Sequence, residues 1–443
     1  MPVSSCPHAR SEEPYRACSH LIAKHDGDYL RCFTGVGQHY DVACRECSQA
    51  EGDVQSRLGP VCAWCFSDIE SEGCWDGIVG RPAVVERRTS MLFSSRTVLT
   101  ATLSAAITAI HGYRDGGGHA WLALCADGML VRIAADSWTH TAVASLVGSA
   151  LDLSTKIVVA VCHEGRFASL VNAHGQHGLV IDLTTGRQTM SLLRDDYHNQ
   201  HCHFAATFAI HAGRTILIHA TAWNRLDISA PDTGTLLTAR EHEATAKDES
   251  PTHALDYFHG RVLVSPDQQW IVDDGWVWHP VGILTAWRLD HWLEVNVWES
   301  ENGPSLVSLA DAFYFWGAPM CWISDHELVV WGYGGDDEWM IPAVRVIDLT
   351  LGKEIRWFAG PEIASRTEGY QVLEPNPPRY KRMVFDRYLF AFSPLTGVAV
   401  WEMETGTCVL RSDWFTPDSY HRGTREFASL VVDGVRLTRL VGG

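Results

Sequence analysis

Two cysteine pairs, Cys44-Arg-Glu-Cys47 and Cys62-Ala-Trp-Cys65, are separated by residues 48–61 of a chain of 443 residues. Two residues between thiolates let both sulfurs of one knuckle face a single ion, and two such knuckles complete a tetrahedral shell of four sulfurs around zinc. One zinc on Cys44, Cys47, Cys62 and Cys65 is therefore the expected centre. Two further pairs, Cys6-Pro-His8 and Cys18-Ser-His20, supply two sulfurs and two imidazoles, enough for a second zinc on Cys6, His8, Cys18 and His20. Cross-braced or shared ligation is the other arrangement these spacings allow, and reduced free thiols are the plain alternative to any metal. Cys32 and Cys74 could replace one of these ligands, whereas His25 and His39 read as surface histidines.

Eight of the 13 cysteines fall within residues 1–80, where hydrophobic periodicity is poor and polar and acidic residues separate the thiols. Such a segment buries too little apolar surface to order itself and needs cross-links or metal. The first ten residues lack a basic and then apolar leader pattern, and no apolar run reaches 18 residues, so the expected compartment is the cytoplasm. A reducing compartment disfavours disulfides and leaves metal as the better reading. The order C-x-H, C-x2-C, C-x2-C over residues 18–65 resembles the zinc-finger domains that read the ubiquitin C-terminus, although the histidines those domains place after the second knuckle have no counterpart here. A zinc-ribbon or treble-clef-like module over residues 1–80 is the broader resemblance.

Positioning elements follow from a recurring stretch, Val180-Ile-Asp-Leu-Thr-Thr-Gly-Arg187. Versions of it appear around Leu226 to Thr235, Val346 to Lys353 and Val400 to Thr407, each an apolar/polar alternation ending in glycine: Gly186, Gly234, Gly352 and Gly406. The longest gap is about two steps of the others, which places one unit with an eroded turn near residues 263–289. A step near 50 residues built from short strands marks a β-propeller. Dividing residues 91–443 by that step predicts a mostly β fold with seven blades, six or eight being the alternatives, after a linker at residues 81–90. The segment Met91 to Ile110 is expected to share a sheet with the C-terminal hairpin so that neither end leaves an open edge; a helix over 98–110 is the competing local reading. Leu263-Val-Ser-Pro-Asp-Gln-Gln-Trp270 and Val400-Trp401-Glu402 resemble phrases of WD-repeat-like propellers, and Ile347 to Trp357 resembles the quinoprotein-like version. The resemblance covers roughly residues 90–440 and implies fold more than function.

The net charge of −18 opposes attraction to phosphate backbones and anionic lipid, so neither nucleic acid nor membrane is an expected partner. Two stretches could bear chemistry. Tyr197-His-Asn-Gln-His-Cys-His203 concentrates imidazoles, and Asp273-Asp274-Gly-Trp-Val-Trp-His279 sets two carboxylates beside large rings. The first reads as a polar loop leading into a blade and the second as an ordinary turn. No nucleophile elbow, zinc-protease helix or phosphate loop occurs. A non-enzymatic interaction protein that binds a protein or peptide is the expected function. A propeller-fold hydrolase or lyase using Asp273, Asp274 and His279, or the central channel, is the alternative.

Overall fold

The computed structural model describes residues 6–8, 15–32, 41–50, 53–79, 83–100, 102–240, 256–335, 340–363, 383–393, 396–413, 415 and 417–442. It is mostly β, with many small antiparallel sheets. No helix among the described residues is long and apolar enough to cross a membrane.

The N-terminal segment builds a five-stranded mixed sheet of its own, ordered Leu58–Val61, Tyr15–Cys18, Asp41–Ala43, Tyr29–Cys32, Trp75–Val79. Tyr15–Cys18 runs parallel to Asp41–Ala43 and antiparallel to Leu58–Val61. Ala17, Leu21, Tyr29, Val42, Val61, Phe66 and Ile69 are buried together, and the same cluster includes Tyr333, Ile341 and Ala343 from far along the chain. The apolar surface of this segment is thus supplemented from outside it. Its apolar residues are scattered in sequence but converge on a sheet, and that sheet borrows a second surface from the C-terminal part.

Beyond it the described residues form seven further sheets, over residues 107–145, 157–193, 206–229, 258–313, 320–359, 383–412 and 419–441. Apart from one added edge strand in each of the last two, each runs through its strands in sequence order, as successive hairpins do. The first stretch after the N-terminal module does not open the first of these sheets. Val85–Glu86 pairs in parallel with Thr407–Ser412 as a fifth strand of the sixth sheet, secured by Arg87 on Glu402 and Arg411 on Glu86. Leu92–Leu99 pairs antiparallel with Gly434–Val441 through eight residues, from Leu99 opposite Gly434 to Leu92 opposite Val441. The helical alternative for 98–110 is not what forms: Leu92–Leu99 and Ile107–Asp115 are both strands.

Apolar cores bridge each sheet to the next. One joins the first and second sheets, one the second to fourth, one the fourth to sixth, and one the sixth and seventh. The last joins the seventh back to the first, where Ala428, Val435 and Leu437 pack with Ile110, Trp121 and Val131. At the same junction the Gly112 amide donates to Ser419 Oγ at 3.3 Å.

The recurring stretch works through its turn. Gly186, Gly234, Gly352 and Gly406 all have φ between +61° and +72°, a conformation that costs a residue bearing Cβ. The acidic residue two positions into the motif is not solvated as its alternation suggests. Asp182 and Asp348 are buried, and Asp348 Oδ1 accepts the Thr350 and Leu351 amides while Asp182 Oδ1 accepts those of Thr184 and Thr185. These carboxylates tie off the turn before the glycine. The eroded repeat also has a structural cause. In the fourth sheet the turn after Val281–Arg288 is replaced by two short helices, Leu289–Glu294 and Glu299–Asn302, around a buried Trp292.

Deleting residues 427–443 removes the partner of Leu92–Leu99 and two of the bridging cores, so thermal unfolding should move down by more than about 10 °C or the chain should aggregate. An unchanged melting temperature would count against the pairing as a structural necessity. Asp348→Ala leaves two turn amides without an acceptor and should cost about 1–2 kcal/mol in denaturant unfolding at pH 7. Burial alone would raise the Asp348 pKa, but the Thr350 hydroxyl and the turn amides hold it below the ordinary carboxylate value. That contribution is present above the unfolded carboxylate pKa and is lost as pH falls through the folded one, so the gap between the two proteins should close on acidification below about pH 4.

Candidate functional site

Three of the four ligand pairs share one local design. Cys18, Cys44 and Cys62 each follow a strand and occupy the N-cap of a short helix with nearly identical extended backbone, φ near −70° and ψ of 155–161°. The second ligand of each pair, His20, Cys47 or Cys65, lies in the first turn of the helix that follows. Cys6 joins them by donating its amide to the Pro60 carbonyl at 3.2 Å, alongside the strand that leads to Cys62.

Strand direction then sorts the pairs. Tyr15–Cys18 and Asp41–Ala43 are parallel neighbours, so Cys18 and Cys44 emerge side by side, with the Cys44 amide 3.3 Å from Cys18 Sγ. Leu58–Val61 is antiparallel to Tyr15–Cys18 and delivers Cys62 at the opposite end of the sheet, where Val61 faces Tyr15. Four strand residues at about 3.3 Å each separate the two ends. The result is two sets: Cys6, His8, Cys62 and Cys65, and Cys18, His20, Cys44 and Cys47, each with its ligand atoms within 4.8 Å of one another. This corrects the grouping expected from spacing, in which Cys44, Cys47, Cys62 and Cys65 shared one ion while Cys6, His8, Cys18 and His20 shared another. In chain order the first pair joins the fourth and the second joins the third, so the sets are nested. All eight residues are used, three thiols and one imidazole per set.

The distances fit a tetrahedral ion. Cys6 Sγ lies 3.8 Å from Cys62 Sγ, 3.4 Å from Cys65 Sγ and 3.9 Å from His8 Nδ1. His20 Nδ1 lies 3.3 Å from Cys44 Sγ and 3.5 Å from Cys47 Sγ. Zn–S bonds of about 2.3 Å in a tetrahedron require ligand edges of roughly 3.5–4 Å. The thiols also frustrate one another without a cation. Burial would raise the Cys6 pKa, yet the Cys62 and His8 amides and the neighbouring thiols bring it to about 6. Cys65, against that thiolate, is pushed up to about 12 by burial and by its sulfur neighbours, and Cys47 is pushed up to about 12 in the other set. Four donors this close can all be deprotonated only around a metal ion. Either set could hold a metal ion such as zinc.

Cys32 is buried and its thiol faces the Leu30 carbonyl, and Cys74 is exposed; neither belongs to a set. His25 approaches Asp68 at 3.8 Å, and His39 lies outside the described residues.

A second candidate surface joins the two stretches singled out for chemistry. In antiparallel sheets run through in order, the connection between sheets and the turn between second and third strands leave the same edge. Residues 195–203, Trp223, the Trp278-His279-Pro280 turn and Trp316 all lie in such positions, so they share one face. There the rings touch in sequence: Tyr197 to Trp223 at 5.2 Å, Trp223 to Phe258 at 4.4 Å, Phe258 stacked on Trp276 at 4.2 Å and Trp276 stacked on Trp316 at 5.0 Å. Trp278 stands edge-on to His198 at 4.7 Å. Arg194 fixes the histidine-rich loop from below, its buried guanidinium donating to the carbonyls of Gly175, Asn199, Cys202 and His203. Trp316 Nε1 donates to the His201 carbonyl at 3.0 Å. Neither Arg194, Trp223 nor Phe258 carries a signal in the sequence, because an arginine committed to loop carbonyls looks like any other.

The carboxylates beside this surface are spent on structure. Asp273 is fully buried, accepts the Gly260 amide at 3.0 Å and meets His259 Nδ1 at 2.6 Å; Asp274 is buried and accepts the Ala318 amide at 2.5 Å. They sit within the strand Trp270–Val277 and not in a turn, while His279 occupies the hairpin tip with φ +118°. The strand runs on for three or four residues past the carboxylates to Val277, about 10–13 Å, and His279 lies beyond its end. The imidazole paired with Asp273 is His259, a residue the sequence did not single out.

No known family model matches the chain, and no curated protein matches it either. The WD-repeat and quinoprotein resemblance therefore rests on strand rhythm and turn phrases.

The nested sets make a prediction about metal content. Cys44→Ser and Cys62→Ser should each lower zinc by one equivalent per chain, and the double variant should lose both. A double variant that retains one equivalent would return Cys44 and Cys62 to a single shell.

Proposed function

We propose that residues 85–442 form a closed seven-bladed β-propeller, that the N-terminal module carries two structural zinc ions in nested Cys3His sets, and that the protein is a non-enzymatic interaction protein. Support for the ring comes from the chain of shared cores that returns from the seventh sheet to the first, together with the strand Leu92–Leu99 lent to the last sheet. Support for structural zinc comes from the donor sets. Each set is complete with four protein ligands and has no position for a substrate or water, which is the signature of a structural site.

The observation that carries the interaction reading is the aromatic face. Tyr197 and Trp278 keep 44% and 39% of their surface exposed on top of a buried stack, which is an expensive way to arrange rings with no partner. Behind them, Asp273 takes the Gly260 amide and the His259 imidazole, and Asp274 takes the Ala318 amide. A protein or peptide laid across this face would bury the two exposed rings against a platform that does not have to rearrange. The zinc module packs on Tyr333 and Ile341, next to the loop between the second and third strands of the fifth sheet, and so stands over the same face.

Capture from a lysate of the source cells with the wild-type protein, Trp278→Ala and a mock surface variant, Val432→Ala, tests this reading. Partners retained by wild type and by Val432→Ala but lost from Trp278→Ala, with unchanged melting temperature in all three, are expected. An identical set of partners on all three proteins would contradict it.

A further inference from the structure

The rims of the aromatic face are not uniform in charge. Asp195 and Asp196 precede Tyr197, and Asp256 precedes the Tyr257-Phe258 pair. Asp195 is half-buried and its two oxygens are organised: Oδ1 accepts the Tyr197 amide at 3.1 Å and Oδ2 accepts the Trp223 amide at 3.0 Å. Asp196 and Asp256 are exposed. The cation nearest in sequence, Arg194, is turned inward and committed to loop carbonyls, so it does not neutralise the rim. His201, half-buried, is held below its usual pKa by burial and by His198, which keeps it neutral at pH 7.

Tyr197 and Trp278 meet at 70° with centroids 6.5 Å apart. The His198 ring stands edge-on to both, 4.6 Å from Tyr197 and 4.7 Å from Trp278, so three rings meet at one corner, and the group that gains most from ring faces on an acidic loop is a cation. An apolar side chain would gain area only. The whole chain, at −18, adds a long-range field that draws basic segments inward and repels acidic ones.

We propose that the Tyr197–Trp278 corner, with the exposed Asp196 next to Tyr197 in the chain, is a binding site for a single lysine or arginine side chain presented by an extended basic peptide segment of a partner protein. This deepens the interaction reading and rests on it. Tyr197 and Trp278 contribute the ring faces, Asp196 contributes the exposed charge, and Asp195 positions Tyr197 and Trp223 through their amides. Preorganisation comes from Arg194 and from the Phe258–Trp276–Trp316 stack, so little conformational entropy is lost on docking.

The test uses the full chain and four synthetic nonapeptides, identical except for lysine, arginine, norleucine or glutamate at the centre of a glycine-serine frame, titrated by intrinsic tryptophan fluorescence at two salt concentrations. The expected result is binding of the lysine and arginine peptides at least 10-fold tighter than norleucine, with no binding of glutamate. Tyr197→Ala and Trp278→Ala should each weaken the cationic peptides at least 10-fold. Asp196→Asn should weaken them about 3-fold and flatten the salt dependence. Norleucine binding as well as lysine, with the Trp278 dependence intact, would overturn cation recognition while leaving a protein-docking face. Cationic binding untouched by Tyr197→Ala and Trp278→Ala would place it elsewhere on an acidic protein and overturn the site. No binding by any peptide would also overturn the proposal, and capture of a Trp278-dependent partner from lysate would then show that the interaction reading stands without it.

Discussion

The direction in which one four-residue strand runs decides the chemistry of the N-terminal module. Leu58–Val61 lies antiparallel to Tyr15–Cys18, while Asp41–Ala43 lies parallel to it. Because every ligand pair but the first is delivered at the end of a strand, those directions put Cys18 and Cys44 at one end of the sheet and Cys62 at the other. The two closely spaced cysteine pairs consequently belong to different sets. An ion held at each end would pin the sheet at both ends, and ions bound by a module of this size supply much of its folding free energy, on the order of 10 kcal/mol for a structural zinc site. The apolar surface shared with Tyr333, Ile341 and Ala343 then ties the module to the fifth sheet.

Which donor residues come together and how they group are separate questions, and only the first was legible in the sequence. Cys6, His8, Cys18, His20, Cys44, Cys47, Cys62 and Cys65 announce themselves by type and local spacing. Their grouping depends on strand orientation within a mixed sheet, and nothing in the composition of Leu58-Gly-Pro-Val61 separates a parallel from an antiparallel neighbour. The repeating glycine turns were legible for a firmer reason, since a positive φ selects glycine directly, as Gly186, Gly234, Gly352 and Gly406 all show. The fourth sheet hid its turn because helices at 289–302 replace it, and a periodic motif cannot report an insertion.

The two stretches that looked most chemical came to opposite ends. Asp273 and Asp274, an acid pair by type, are the polar fixings of a buried strand, one on the Gly260 amide and His259, the other on the Ala318 amide. Tyr197 to His203, read as a plain polar loop, is held by Arg194 against a stack of rings and presents Tyr197 at the surface. Side-chain type alone could not tell these apart, because a carboxylate consumed by backbone amides and a carboxylate poised for proton transfer have the same sequence. What separates them is burial and the identity of each partner.

The nested Cys3His arrangement is the claim on which the module's architecture rests, and cadmium-113 NMR of the fully substituted protein addresses it without changing a residue. Cadmium shielding falls with each added thiolate, so two Cys3His sites predict two resonances close together in the region for three sulfurs and one nitrogen. One resonance in the four-sulfur region and another in the two-sulfur region would contradict the nested sets and restore a shell built from Cys44, Cys47, Cys62 and Cys65.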